Sequence, residues 1–221
     1  MTPLQLVVCG TDTDVGKTVV SALLVQGLEA RYWKPVQCGL DPGPEGGGDR
    51  DRVQRWLVLP PQRLLPEAYR LRAPVSPHWA SALESGDREQ PGPPIDPDRL
   101  QLPPHQGPLV VETAGGLLVP LRLDLLQIEQ IQRWQLPVLL VARSGLGTLN
   151  HTLLSLEALR KRQIPVVGVL LNGPAHPNNL STLEQLGGVP MLGCLTPLEA
   201  INPKSLREQW QELELSHKLQ A

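Results

Sequence analysis

The sequence predicts an α/β fold in which helices cover both faces of a mostly parallel central sheet. Short apolar runs, each the length of a buried strand, recur along the chain, and helical patterns lie between several of them. Strands that alternate with helices are typical of right-handed crossovers, which produce parallel sheets. The 221 residues are enough for a buried core, and we predict a single domain over residues 1–221.

Six apolar runs are predicted to form the strands, because each is short enough for a buried parallel strand. These runs are residues 4–9, 32–36, 109–111, 138–142, 166–171 and 190–192. Helical patterns follow the first run and flank the fourth, over residues 17–28, 125–134 and 149–160. A last pattern over residues 205–219 mixes charges with spaced apolar residues, which is typical of a packed surface helix.

Two stretches rich in Gly and Pro interrupt this alternation, and we predict loops over residues 39–48 and 85–106. Long loops near strand ends often cover binding sites. For residues 85–106 a solvated segment without such a role is the alternative.

Composition and charge exclude several classes of function. A formal net charge of −2 with Phe 0, Trp 5 and Tyr 2 leaves neither a basic field nor many aromatic platforms for nucleic acid. Cys9, Cys38 and Cys194 are too few and too widely spaced for a disulfide framework or a zinc knuckle, which favours a reducing compartment. No run reaches the roughly 18 apolar residues that span a bilayer. We therefore expect a cytoplasmic protein that binds neither nucleic acid nor a membrane.

The first predicted strand leads directly into a phosphate-loop motif, Gly10-Thr11-Asp12-Thr13-Asp14-Val15-Gly16-Lys17-Thr18, and the first predicted helix follows. In a P-loop, backbone N–H groups at the helix start surround phosphate oxygens. Lys17 would reach the terminal phosphates, and the Thr18 hydroxyl would bind Mg²⁺. Gly10 and Gly16 enclose five residues instead of the usual four, so the loop is a variant. The alternative is that both are ordinary turn glycines.

A second acidic ligand for Mg²⁺ is predicted at Glu112, because such a ligand normally lies at the end of another strand. Glu112 closes the apolar run 109–111 and is followed by Ala114-Gly115-Gly116, where a bare backbone allows a ligand to approach closely.

Six blocks of the sequence together resemble the dethiobiotin synthetase family. In the family's order they are residues 10–18, Trp33-Lys34-Pro35-Val36-Gln37, Pro74-Val75-Ser76-Pro77-His78, Val111-Glu112-Thr113-Ala114-Gly115-Gly116-Leu117-Leu118-Val119-Pro120, Gly145-Leu146-Gly147-Thr148-Leu149-Asn150-His151 and Leu171-Asn172-Gly173. The resemblance covers the chain almost end to end. It implies a cytoplasmic, homodimeric, Mg²⁺-dependent enzyme of biotin biosynthesis on the P-loop α/β fold, with 7,8-diaminononanoate, CO₂ and ATP as substrates.

The resemblance also implies the reaction. CO₂ adds to an amine to give a carbamate, ATP phosphorylates the carbamate, and the neighbouring amine attacks the mixed anhydride to release dethiobiotin, ADP and phosphate. Carbamate and γ-phosphate are both anions, so cations must bring them together, and Lys17, Lys34 and Mg²⁺ would supply these. By similarity Lys34 is the active-site lysine, and Thr11 lines the site for the diamine and its carbamate.

The same resemblance implies the ligands of Mg²⁺ and ATP. Thr18, Asp49 and Glu112 would hold Mg²⁺, with Asp51 as the alternative to Asp49, and either aspartate could instead be a helix N-cap. The implied ATP contacts are Asp14, Val15, Gly16, Lys17, Thr18, Asp49, Glu112, Thr113, Ala114 and Gly115. The implied adenine pocket consists of Asn172, Gly173, Thr196, Pro197 and Leu198, although a plain loop is the alternative for residues 196–198.

On the substrate side, the resemblance implies contacts from Thr11, Lys34 and Cys38, and from Leu146, Gly147 and Asn150 of a partner subunit. This last segment opens a helix whose N–H groups would bind the diamine's carboxylate. Without the family, Gly145 and Gly147 would make an ordinary turn, and Asn150 would be an N-cap.

Three residues depart from the family's pattern. Cys38 stands where the family commonly has Ser or Thr, and we expect a reactive thiolate there, close to Lys34. Thr113 replaces a frequent glycine and Asp14 a frequent glutamate.

Two other functions are considered. An amide-forming synthase of the cobyrinate type would need a glutaminase domain, for which the chain is too short. A nucleotide-dependent switch or partitioning ATPase that acts on a partner protein usually has a second lysine early in its phosphate loop, and residues 1–16 contain none. The five histidines show no metal-ligand spacing, and His78 and His151 are expected to be structural.

Overall fold

The computed structural model describes residues 4–40, 47–84, 92–104 and 106–219. Its strands are β1 Gln5–Gly10, β2 Arg31–Trp33, β3 Val36–Cys38, β4 Tyr69–Leu71, β5 Leu109–Gly116, β6 Pro120–Arg122, β7 Leu125–Leu126, β8 Val138–Arg143, β9 Val166–Asn172 and β10 Met191–Leu195. Its α-helices are α1 Lys17–Gly27, α2 Asp49–Leu57, α3 Pro77–Leu83, α4 Gln127–Trp134, α5 Thr148–Lys161, α6 Pro177–Gly187, α7 Pro203–Glu212 and α8 Leu215–Lys218. Short 3₁₀ helices span Pro61–Arg63 and Pro97–Leu100.

The central sheet confirms the predicted fold class. In the described part of the chain it has six strands in the order β10-β9-β8-β1-β5-β2, and every neighbouring pair is parallel. Because all six strands run the same way, their carboxyl ends meet at one edge of the sheet. In open α/β sheets this edge is where ligands bind.

Side chains of the central strands alternate between two apolar layers, as the two-residue period of a strand requires. In β1, Leu6 and Val8 pack with α1, α2 and α7 on one face. Val7 and Cys9 pack with α4, α5 and α6 on the other face. The predicted helix-covered sheet therefore has a continuous core on both sides. Every helix among the described residues is too short or too polar to cross a membrane.

The predicted strand over residues 32–36 is wrong as a single element. β2 ends at Trp33, and β3 begins at Val36 in a separate two-stranded sheet with β4. Pro35 has no N–H group to continue a ladder, and its carbonyl instead accepts hydrogen bonds from Ala68 N at 2.9 Å and Tyr69 N at 3.0 Å. The chain therefore leaves the central sheet at Lys34, which lies at the sheet's carboxyl edge.

Other boundaries also differ from the prediction. Residues 125–126 form β7, antiparallel to β6, so α4 begins only at Gln127. The pattern over residues 205–219 divides into α7 and α8, because Glu214 between them has a φ of 53°. Helices α2, α3 and α6 and strands β4 and β6 were not predicted.

The two predicted loops lie only partly within the described residues. Residues 41–46, 85–91 and 105 fall outside them. In the described part of the second stretch, Ile95 and Leu100 are buried and a 3₁₀ helix spans Pro97–Leu100. These two residues anchor the stretch to the core, whereas most of its other described residues are exposed and, outside the 3₁₀ helix, lie in a loop as predicted.

Candidate active site

The phosphate loop connects β1 to α1 at the carboxyl edge of the sheet. Gly16, directly before α1, has a φ of 95°, which favours glycine. A Cβ atom at this position would lie 2.1 Å from the Asn172 side-chain nitrogen, which itself donates to the Val15 carbonyl at 3.1 Å. Asn172, at the end of β9, thus packs on the phosphate loop. Its predicted contact with adenine stays a prediction.

Lys17 lies under the loop that precedes it. Its side chain is buried, and Nζ donates to the Asp12 carbonyl at 2.8 Å. Burial lowers the pKa of Lys17, and the positive charge of Lys34 lowers it further. Two cations therefore share one buried region, which is a setting for an anionic ligand.

The carboxylate of Glu112 is the centre of the site. It is completely buried, and Oε1 accepts hydrogen bonds from Thr18 Oγ1 and Lys34 Nζ, each at 2.9 Å. The other oxygen, Oε2, accepts from the Tyr32 hydroxyl at 2.9 Å. Burial, together with the Glu112 charge, holds the pKa of Tyr32 well above its ordinary value. The phenol is therefore a hydrogen-bond donor at neutral pH.

Lys34 bridges two carboxylates. Besides Glu112, its Nζ donates to Asp49 Oδ2. Burial alone would lower the pKa of Lys34, but the charges of Glu112 and Asp49 raise it overall. Burial alone would raise the pKa of Asp49, but the charge and hydrogen bond of Lys34 lower it overall. Lys34 and Asp49 are therefore both ionised at neutral pH.

The structure separates the two aspartates between which the sequence left a choice. Asp49 lies at the start of α2, beside Lys34, and its backbone N–H donates to Gln37 Oε1 at 2.9 Å. Asp51 Oδ2 instead accepts from Gly48 N at 2.8 Å and pairs with Arg70 at 3.2 Å. Thr18, Asp49 and Glu112 thus meet in one place. The alternative that either aspartate is a helix N-cap is wrong, because Gly48 holds that position and Asp51 completes a capping box from the third position of α2.

These three residues have the donor chemistry that Mg²⁺ requires. Two carboxylates and a hydroxyl are hard oxygen ligands, and Mg²⁺ commonly takes one or two carboxylates together with water and substrate phosphates. In the residues that the structure describes, no group of three or more His, Cys, Asp or Glu side chains could hold a metal by itself. The oxygen donors of Thr18, Asp49 and Glu112 therefore fit a Mg²⁺ ion that is also bound by water and the phosphates of a nucleotide.

The other predicted nucleotide residues lie at the same edge of the sheet. Ala114 and Gly115 follow Glu112 along β5, and Asp14 is exposed in the loop. Thr113 points away from Glu112, because its hydroxyl donates to the Val8 carbonyl at 3.3 Å. The Gly173 N–H donates to the Leu195 carbonyl at 2.9 Å, which brings Asn172 and Gly173 next to Thr196, Pro197 and Leu198.

A groove of about 500 Å³ opens beside the phosphate loop. It is lined by Thr11 and residues 116–120 on one side and by His151 and Leu154 of α5 on the other. The predicted substrate residue Thr11 thus faces a partly apolar groove that can take an aliphatic chain.

The segment predicted to serve a partner subunit lies at the surface. Leu146 is fully exposed, and Gly147 has a φ of 90° directly before α5. Asn150 is exposed in the first turn of that helix. The alternative role of Asn150 as an N-cap is wrong, since α5 already begins at Thr148.

Three comparisons with known proteins agree with these features. Residues 4–205 match a family model described as an AAA domain. The chain is 48% identical over 207 residues to the ATP-dependent dethiobiotin synthetase BioD of Rhodopseudomonas palustris strain BisB18, covering 94% of this chain and 93% of that protein. It is 46% identical to the protein of the same name from Agrobacterium fabrum, covering 95% and 93%.

The chain belongs to the dethiobiotin synthetase family. The resemblance of the six sequence blocks is thereby confirmed. Among solved structures, the septum site-determining protein MinD of Pyrococcus horikoshii, in complex with Mg-ADP, matches with a TM-score of 0.56 and 15% identity, covering 99% of this chain and 94% of that one. At this identity the likeness shows the P-loop fold alone.

Cys38, which departs from the family's pattern, is not poised as a reactive thiolate. Burial raises its pKa to about 12, the charge of Lys34 lowers it less, and Glu84 raises it further. The expectation of a reactive Cys38 is therefore wrong, because burial outweighs the nearby lysine. Its contact with the diamine stays a prediction.

Two polar residues around the family's motifs were not predicted to have roles. Tyr32 donates to Glu112, and Gln37 accepts the N–H of Asp49. A signal for Tyr32 existed, since it lies two residues before Lys34 in an apolar run, and alternate residues of a strand share a face. Gln37 had no comparable signal, because its partner comes from a distant helix.

Proposed function

We propose that the protein is an ATP-dependent dethiobiotin synthetase, a cyclo-ligase that converts 7,8-diaminononanoate, CO₂ and ATP into dethiobiotin, ADP and phosphate in the cytoplasm. The observation that carries the proposal is the hydrogen-bonded group of Thr18, Lys34, Asp49 and Glu112 beside a phosphate loop, in a chain of the dethiobiotin synthetase family.

ATP binding is assigned to the phosphate loop. The N–H groups that begin α1 have no partner within the helix, and the helix dipole favours an anion at this end. Lys17 is held against the loop by its hydrogen bond to the Asp12 carbonyl, and its charge is assigned to a terminal phosphate of ATP. Residues 172–173 and 196–198 would contact the adenine.

Metal binding is assigned to Thr18, Asp49 and Glu112, whose oxygens fit Mg²⁺. When bound there, Mg²⁺ neutralises charge on the phosphates of ATP. Lys34 lies between the same two carboxylates, which keep it protonated despite its burial.

Lys34 is assigned to the carbamate. An oxygen of the carbamate attacks the γ-phosphorus, and the bond to ADP breaks. The second amine then attacks the carbamate carbon, loses its proton, and expels phosphate as the ring closes. The Lys34 charge offsets the repulsion between carbamate and γ-phosphate and stabilises the charge that develops on the transferred group.

The substrate's aliphatic chain is assigned to the groove beside Thr11, and the active form to a homodimer. An exposed apolar surface supports the dimer: two grooves, of about 500 and 450 Å³, flank the segment 117–124. More than half of each side chain is exposed at Trp79, Leu118, Leu123, Leu146 and Leu154. Patches of this kind mark interaction sites, and Leu146 belongs to the segment predicted to complete the partner's site.

Genetic complementation tests the proposal. A bacterial strain that lacks its own dethiobiotin synthetase should grow without biotin when it carries this protein. The Lys17→Ala variant should not restore growth, because it lacks the charge for the developing phosphoryl oxygens, whereas Lys204→Gln, at an exposed site, should. A soluble, folded wild-type protein that never restores growth, in a strain that does grow on added dethiobiotin, would contradict the proposed activity.

A further inference from the structure

We propose that Tyr32 is a positioning residue, which fixes the Glu112 carboxylate so that its Oε1 oxygen faces Thr18 and Lys34. The inference deepens the proposed function, on which it rests for the assignment of Glu112 to the Mg²⁺ of a bound nucleotide.

The sheet brings the two side chains together. β2 is paired with β5 in parallel register, and Tyr32 is opposite Val110. Glu112 is two residues further along β5, so it projects from the same face of the sheet as Val110. Diagonal neighbours across a strand pair are within reach of a long aromatic side chain, and the Tyr32 hydroxyl reaches Glu112 Oε2 at 2.9 Å.

The two oxygens of Glu112 have different partners. Oε1 is directed toward Thr18 and Lys34, at the open edge of the site. Oε2 is directed into the core, toward Tyr32. Both side chains are completely buried, so a carboxylate oxygen that loses the phenol has no bulk water to replace it. The phenol therefore fixes the orientation of the carboxylate and satisfies its inner oxygen.

This arrangement is that of an outer hydrogen bond supporting a metal ligand. Hydrogen bonds to a ligating carboxylate orient it, and removing such a partner commonly costs about 10- to 100-fold in metal affinity. Tyr32 itself lies behind Glu112 and is not expected to touch the substrates. Its loss should weaken the Mg²⁺-dependent part of nucleotide binding and leave the part that needs no metal.

Isothermal titration calorimetry on the full chain measures the metal-dependent and the metal-independent parts of nucleotide binding separately. We expect Tyr32→Phe to bind ADP in EDTA as the wild type does, but to need about 10- to 100-fold more Mg²⁺ for the tighter Mg-ADP complex. Tyr69→Phe is the matched control, since it also removes one hydroxyl from a hydrogen bond, here with Asp96 N at 2.8 Å, away from the site. An unchanged Mg²⁺ requirement in a folded Tyr32→Phe protein would overturn the proposal.

A second measurement keeps Tyr32 in place, in case Tyr32→Phe does not fold. The sequence has 2 tyrosines, so fluorotyrosine incorporated into Tyr69→Phe protein reports on Tyr32 alone. We expect its ¹⁹F resonance to shift when Mg²⁺ is added to the ADP complex, because Glu112 then shares its charge with the metal. A resonance that does not respond, while calorimetry shows Mg-ADP binding, would equally overturn the proposal.

A failure of the Tyr32 proposal can be distinguished from a failure of the proposed function. A wild-type protein that binds Mg-ADP but forms no dethiobiotin would refute the activity and leave the role of Tyr32 open to the same two measurements.

Discussion

At the scale of single residues, the site places the ammonium group of Lys34 between two buried carboxylates. Lys34 neutralises Asp49 and Glu112 in part, and all three side chains are nearly inaccessible to water. Such a group is costly to desolvate and is stable only while its partners remain. The arrangement therefore favours a role in function over one in stability.

The first prediction concerns Lys34→Gln. We expect dethiobiotin formation to be lost while much of the ATP affinity remains, because this cation is assigned to the carbamate. We also expect a stability loss of about 3 to 5 kcal/mol, since two buried carboxylates lose their partner. Calorimetry with ATP and with the diamine separates the two effects, with Lys204→Gln as the control. A collapse of ATP affinity with unchanged diamine affinity would show that the assignment is wrong.

The second prediction concerns acid stability. The pKa of Asp49 lies below its ordinary value of 3.8, because the effect of Lys34 exceeds that of burial. A carboxyl group of this kind contributes stability that is present above its unfolded pKa and lost as the pH falls through its folded pKa. We expect the free energy of unfolding to fall on acidification below about pH 4.

Urea unfolding between neutral pH and about pH 3 measures this dependence. Asp49→Asn should reduce its steepness, whereas Asp98→Asn, at an exposed position of the 3₁₀ helix Pro97–Leu100, should not. Equal acid dependence in wild type and Asp49→Asn would mean that Asp49 is not held in its charged form by Lys34.

At the scale of elements, the phosphate loop depends on a glycine at its end. Gly16 combines a φ of 95° with close packing on Asn172, so a side chain there meets both strain and collision. We expect Gly16→Ala to weaken ATP binding by about tenfold or more, from a strain of about 1 to 2 kcal/mol and the displaced asparagine.

The matched control is Gly107→Ala. Gly107 has a φ of 83° but nothing within 4 Å of the position of a Cβ atom. It therefore carries the backbone strain without the collision. Gly107 lies outside the phosphate loop, so comparable ATP affinities for the two variants would mean that neither the strain nor the collision at Gly16 affects ATP binding.

At this scale, the elements whose positions were predicted well are those with a strong apolar pattern. The central strands β1, β8 and β9 are continuous apolar runs, and their positions were predicted closely. Helix α2 was missed because its apolar pattern is weak. Its buried apolar residues are Val53 and Leu57, and most of its other residues are charged. The break after Trp33 was also missed, because residues 32–36 were interpreted as one strand and the new partners of Pro35 come from the distant residues 68–69.

The residues of the site were predicted from family motifs, and their neighbours were not. Thr18, Lys34 and Glu112 stand in ordered blocks that the resemblance identified. The sequence could not distinguish the surroundings of Asp49 and Asp51, because both begin the same helix and only Asp49 faces Lys34. The role of Asp49 as a metal ligand stays a prediction. Tyr32 stands outside every block. Its spacing from Lys34 indicated a shared face, but its contact with Glu112 depends on the pairing of β2 with β5.

At the scale of the whole molecule, the exposed apolar surface and the position of residues 146–150 lead to a prediction about assembly. If this segment completes the partner's substrate site, an inactive Lys34→Gln subunit and an inactive Leu146→Asp subunit should restore activity when mixed. Each mixed dimer then has one intact site, so about a quarter of the activity returns if subunits exchange freely.

The control mixes Lys34→Gln with Lys17→Ala. Both changes damage the part of the site that lies within one subunit, so no mixed dimer has an intact site, and activity should stay absent. Light scattering would establish that the species are dimers. If mixing with Leu146→Asp restores nothing although mixed dimers form, the sites are not shared.

The central claim is that the protein makes dethiobiotin at the site formed by Thr18, Lys34, Asp49 and Glu112. Its most direct test is mass spectrometry of the products after incubation of the purified protein with 7,8-diaminononanoate, ¹³C-labelled bicarbonate and Mg-ATP. The account predicts dethiobiotin carrying a single ¹³C, formed in equal amount with ADP and absent with Lys34→Gln. ADP formed at the same rate with and without the diamine, and no labelled dethiobiotin, would contradict it.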